Sequence, residues 1–163
     1  MPNLSAEDLL LWNDTTAQKW RALLEPHPEA LALPCDVRGS NTVADLLQHI
    51  AAAELRYAQQ LSGEPPTDYA DLPKSTLAEL FHIHDTAVAK YRVLLADPNY
   101  KWDEEFRFLT RSEGPLVAPR RVILFHGLLH GIRHYAQLAT LMRHAGIAPD
   151  WHMDYLFMAA HRP

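Results

Sequence analysis

Toward the C-terminal end the chain reads LFHGLLHGIRHYAQLATLMRHAG, which places His126, His130 and His134 at successive steps of four residues. At about 100° and 1.5 Å per residue, neighbours in that series lie about 40° apart around a helix and about 6 Å apart along it. They share one face. Two imidazoles so spaced can hold one metal ion, as the two histidines of an HExxH zinc helix do. The outer two stand about 12 Å apart on a straight helix, so one ion reaches His126 with His130 or His130 with His134. A further ligand has to come from another element. His144 is close in angle to His130 but lies about 21 Å away along the axis.

His49 is the best candidate for that further ligand. It falls near the middle of a second helical pattern, at the border of the apolar stripe, from where a side chain can point inward. His82 and His84, in FHIHD, lie about 200° apart on a third helix, so at most one faces the core and either is a rival ligand. His27, His152 and His161 sit near loops or ends and read as surface residues. The single cysteine, Cys35, excludes an internal disulfide and any multi-cysteine zinc module, which leaves metal chemistry to nitrogen and oxygen ligands. Glu54, Tyr57 and His126 are candidate general bases, although Glu54 reads equally well as a solvated or ion-paired helix residue. No catalytic residue is assigned. Gly127 and Gly131, inside the histidine helix, each cost about 1 kcal/mol relative to Ala. Close approach of another helix or a bound molecule would offset that cost.

The elements that must position these residues are long helices separated by Pro- and Gly-marked breaks. Ser5 with Asp8, Thr42 with Asp45 and Thr76 with Glu79 have the spacing of reciprocal N-terminal caps. They predict helices from Ser5 to Leu24, from Thr42 until Gly63 and Pro65-Pro66, and from Thr76 to Asp97-Pro98. The prolines and Gly39 of residues 25–41 mark a connection with room for a helical turn at Glu29, Ala30 and Leu31. Residues 98–117 read as a long crossover loop. The alternation at Glu105 to Thr110 hints at an extended piece, but one such segment makes no stable sheet by itself. Pro119 suits a first helical turn, and the pattern from Arg120 to His144 meets no breaker before Gly146. Asp150 is positioned to cap a short final helix from Trp151 to about His161.

The chain is expected to be all-α: a four-helix bundle with a short C-terminal helix and the long crossover loop, forming one domain over residues 1–163. A length of 163 residues, 48% of them apolar, is ample for one core. A formal charge of −5 argues against a protein that gains affinity by releasing counterions from nucleic acid. No basic start followed by an apolar run resembles a signal peptide, and no run approaches the roughly 20 apolar residues of a membrane span, so a cytoplasmic location is expected.

These features together resemble the DinB-like proteins, which include the YfiT-type metal-dependent hydrolases. The likeness rests on Val43-Ala44-Asp45-Leu46-Leu47-Gln48-His49-Ile50, similar to a family helix carrying one histidine ligand. It rests equally on His130-Gly131-Ile132-Arg133-His134-Tyr135-Ala136-Gln137-Leu138, similar to the family's HxxxHRGQ segment. Trp12-Asn13, the spacing between the two segments and the Gly146 to Asp150 exit extend it over nearly the whole chain. The resemblance implies an up-down-down-up bundle and a divalent ion, nickel or zinc, held by His49, His130 and His134, with His126 one turn outside. Tyr135-Ala136 stands where the family has Arg-Gly, which removes any substrate contact made by that Arg. Some members act as bacillithiol or mycothiol S-transferases or isomerases. The implied function is therefore a metal-dependent thiol S-transferase or hydrolase acting on a small-molecule substrate and forming a homodimer. The alternative is a non-enzymatic metal-binding stress-response bundle.

Overall fold

The protein is described by a computed structural model covering residues 3–37 and 39–162. Four long helices carry most of it: α1 (Ala6–Leu24), α2 (Val43–Leu61), α3 (Leu77–Ala96) and α4 (Arg120–His144). The first three begin as their cap residues predict. Ser5, Thr42 and Thr76 each accept the backbone N–H three residues on, and Asp8, Asp45 and Glu79 reach back to the cap's own N–H. Each such cap is worth about 1 kcal/mol. The turn expected near Glu29 is a 3₁₀ helix at Pro28–Ala32, and Gly146 ends α4 with φ +79°, a conformation that favours glycine.

Two expectations fail. The crossover carries an antiparallel hairpin of β1 (Glu105–Thr110) and β2 (Gly114–Pro119), paired from Glu105 with Pro119 to Thr110 with Gly114. The chain is thus mostly helical but not all-α. The second strand is hard to read because Pro115 and Pro119 remove backbone donors, which only an edge strand tolerates, and in a two-stranded sheet both strands are edges. The sheet does not stand alone: the Leu109 N–H donates to Gln60 Oε1 at 2.6 Å, Gln60 Nε2 donates to the Leu109 carbonyl at 3.2 Å, and the buried Phe108 ring meets Tyr57 edge-on. Pro119 consequently ends β2 and forms the N-cap of α4 rather than its first turn. With no side-chain cap there, the Arg120 and Arg121 N–H groups donate to the Glu104 and Trp102 carbonyls.

The expected final helix is also absent. Only a 3₁₀ turn, Tyr155–Met158, forms, and Leu156 is 68% exposed. A segment of about ten residues needs tertiary packing to be helical, and this one is tied down chiefly by Trp151 against Trp20 and by the Trp12 indole N–H donating to the Met153 carbonyl.

α1 and α2 each pack against both α3 and α4. One half of the core joins Leu9 and Leu10 of α1 to Leu61 of α2, Leu94 of α3 and Ile123 of α4. The other half joins Leu24, Val43, Leu80 and Met142 of the same helices. Among the described residues no helix is long and apolar enough to cross a membrane.

Candidate metal centre

α2 and α4 face each other, and at their contact the structure brings His49, His130 and His134 together. His49 Nε2 and His134 Nε2 each lie 3.2 Å from His130 Nε2, and one ligand nitrogen from each residue falls within 4.8 Å of the others. For ligands about 2.0–2.1 Å from a tetrahedral ion, nitrogens sit about 3.3 Å apart, so both short separations suit a shared ion.

The protonation states suit it as well. Burial, reinforced by the neighbouring His134, Arg111 and Arg133 charges, pushes His49 down to about 4. Burial and the adjacent His134 and His49 push His130 down to about 3, and burial lowers His134 too. All three are neutral near pH 7, the form in which imidazole is a ligand. The carboxamide of Gln137 fixes one tautomer: its Oε1 accepts from His134 Nδ1 at 2.6 Å, which directs the Nε2 lone pair toward the cluster. His130 Nδ1 is buried with no partner among the described residues, and only one proton can serve each Nε2–Nε2 contact. The three lone pairs are those a cation at the convergence would take. An all-imidazole donor set is borderline in softness and suits a first-row transition metal or zinc rather than magnesium or calcium. The chain's residues therefore fit a divalent ion. One contact opposes it: an Arg133 guanidinium nitrogen lies 3.2 Å from His134 Nε2 and donates to that same lone pair.

The other histidines fall elsewhere. His126 is exposed, 5.5 Å ring to ring from His130 and edge-on to Tyr57, one turn outside the cluster. His82 is exposed, and His84 faces the core, so the two divide as their spacing requires. His84 is no rival ligand, however. Its Nδ1 lies 2.6 Å from Glu54 Oε2 and its Nε2 3.4 Å from Asp14 Oδ1. Burial alone would lower its pKa, but the Glu54 charge and the hydrogen bonds to Asp14 and Glu54 win and raise it to about 10. Glu54 is ion-paired, as one reading of the sequence has it, but at 1% exposure it is not solvated.

This buried pair explains the glycines. Glu54 Oε1 also accepts from Asn13 Nδ2 at 2.8 Å, and that same Asn13 nitrogen donates to the Leu128 carbonyl of α4 at 3.0 Å. A Cβ on Gly131 would stand 2.5 Å from Glu54 Oε1 and 2.7 Å from Asn13 Nδ2, and one on Gly127 would stand 2.8 Å from the Tyr91 hydroxyl. Tyr91 in turn donates to the Glu54 carbonyl. α4 thus presents histidines on one face and lies against a polar network on another, through positions where any Cβ would force a neighbouring side chain to move. The network's partners are spread over all four helices, so the sequence shows only an ion-paired reading for Glu54 and two costly glycines in α4, not which groups meet.

Two cavities adjoin the cluster, of about 210 and 660 Å³, and both are lined by His49, His130, Arg111, Ser112 and Arg133. Tyr57, Tyr69 and His126 wall the smaller one, and His134 and Gln137 the larger. Arg111 comes from the turn between β1 and β2, so the hairpin forms part of the wall. No curated protein matches the chain. The sequence profile of the DinB family matches residues 1–162, and together with the helices and the histidine grouping this places the chain in the DinB family.

Proposed function

We propose that this DinB-family protein is a divalent-metal-dependent enzyme in which His49, His130 and His134 hold nickel or zinc, acting as a thiol-dependent S-transferase or a hydrolase. The observation that carries the reading is the convergence of three neutral imidazoles at the wall of two cavities, since a structural site is normally closed by its protein ligands. A bound divalent ion would supply Lewis acidity and lower the pKa of a water or thiol.

The chain's own residues supply the rest. Gln137 orients His134, and burial keeps the imidazole lone pairs unprotonated. Tyr57 and Tyr69 wall the smaller cavity. Among the candidate bases, Glu54 is committed to His84 and Asn13, and burial raises Tyr57 above its ordinary phenol range. His126 remains: although the residue is exposed, its ring lines the cavity, where partial desolvation and the Arg133 charge lower its pKa, and the neutral ring can accept a proton there. The up-down-down-up order belongs to the same reading. It is supported by the core halves, in which the beginnings of α1 and α4 meet the ends of α2 and α3.

The test is elemental analysis of purified wild type beside His49→Ala, His130→Ala and His126→Ala. We expect near-stoichiometric metal in wild type and His126→Ala and little in the other two. Equal metal in all four refutes the site.

A further inference from the structure

We propose that Arg111 and Arg133 form an anion-recognition pair and that the molecule acted on at the histidine cluster carries a carboxylate or phosphate. The inference rests on the cluster being the reaction centre. In a chain of net charge −5, the walls shared by both cavities hold two arginines, and neither has a carboxylate partner among the described residues. Glu113, the one acidic residue lining the larger cavity, makes no ion pair with either. Arg56 also lines the smaller cavity, but it is already engaged: it donates to the Thr67 carbonyl and lies 3.8 Å from Asp68.

The two arginines are held differently, and both arrangements favour a ligand. The Arg111 guanidinium lies over the Tyr69 ring at 4.3 Å, so its plane is set before any ligand arrives. Tyr69 is itself fixed, its carbonyl accepting from Gln48 Nε2 and its ring stacking near His49. Arg133 rests against His134 Nε2, the lone pair a cation would take. A cation held there would replace that hydrogen bond with like-charge repulsion, leaving the guanidinium for an anion beside the centre. A guanidinium fork matches carboxylate and phosphate alike, with two parallel N–H donors. Thus the cluster supplies the reacting site, while the hairpin turn and α4 supply the handle for the substrate's charge.

The experiment is a titration of metal-free and zinc-loaded protein with succinate and, separately, inorganic phosphate at constant ionic strength. Binding is followed by calorimetry and by the backbone amide signals of residues 110–113 and 133, with metal content measured on the same samples. Wild type is expected to bind at least one anion, more tightly when zinc-loaded, and Arg111→Gln/Arg133→Gln to weaken that binding at least tenfold with metal content intact. The Arg111→Lys/Arg133→Lys variant keeps the charge and is expected to fall between. Arg143→Gln, an exposed change in the last turn of α4, is expected to match wild type. Succinate without phosphate, or the reverse, identifies which group the substrate carries. No binding by wild type, or equal binding by the double Gln variant, overturns the inference while metal content still supports the centre. Absence of metal from wild type, with anion binding retained, refutes the metal reading alone.

Discussion

Replacing Gly131 with Ala tests the relation between the histidine helix and the polar network behind it. In an unencumbered helix this change stabilises by about 1 kcal/mol, because Ala restricts the unfolded chain and favours helix. Here the new methyl would lie 2.5 Å from Glu54 Oε1 and 2.7 Å from Asn13 Nδ2. Neither group is a free side-chain end. The Glu54 carboxylate is held by His84 at 2.6 Å and Asn13 at 2.8 Å, and Asn13 is held in turn by the Leu128 carbonyl, with Glu54 and Asn13 at 1% and 0% exposure. Overpacking a core costs about 1–3 kcal/mol. Displacing hydrogen bonds to a buried charge costs about 1.5–3 kcal/mol more. Set against the helix gain of about 1 kcal/mol, the net effect is a loss of about 1.5–5 kcal/mol. At about 2–4 °C per kcal/mol for a chain of this length, Tm falls by about 3–20 °C. Thermal and urea unfolding followed by circular dichroism, in chelator so that metal does not contribute, measures it. A Gly131→Ala protein as stable as wild type, or more stable, refutes the close contact.

Other predictions follow from the same contacts. Because the pKa of His84 is raised from 6.5 to about 10 on folding, its contribution to stability is complete below about pH 6.5 and is lost as pH rises through about 10. Urea unfolding across that window should show a decline in wild type that is reduced in His84→Gln, and identical slopes would refute the assignment. Gln137→Ala removes the acceptor that orients His134 and should weaken metal affinity about 10–100-fold, read by competition with a chelating dye. Gln60→Ala removes both hydrogen bonds that pin Leu109, at a cost of about 1–3 kcal/mol. Faster amide exchange in residues 105–119 than in α2 would show the hairpin loosening.

What could be read from the sequence was set by neighbours a few residues away. A Ser or Thr followed three residues later by Asp or Glu caps a helix whatever surrounds it, so α1, α2 and α3 begin where Ser5, Thr42 and Thr76 predict. A step of four residues puts His130 and His134 on one face by helix geometry alone. The separation of His82 from His84 follows in the same way, one exposed and one buried.

What depended on distant partners needed the tertiary structure. Helix geometry treats His126–His130 and His130–His134 as equivalent pairs, and leaves His82 and His84 as rivals to His49 for the third position. The packing of α2 on α4 places His49 at His130, while the packing of α2 on α3 delivers His84 to Glu54. The hairpin was obscured because two prolines suit a strand only when nothing further pairs with it. Gln60, 49 residues from Leu109, holds it in place. The arginines beside the histidines are not marked by spacing: Arg133 is an unspecified position of the HxxxH segment and Arg111 lies in no motif. Arg111 reaches the cluster through the hairpin turn, and local periodicity cannot show which surface a turn will cover, because that is decided by the chain folding back over α2.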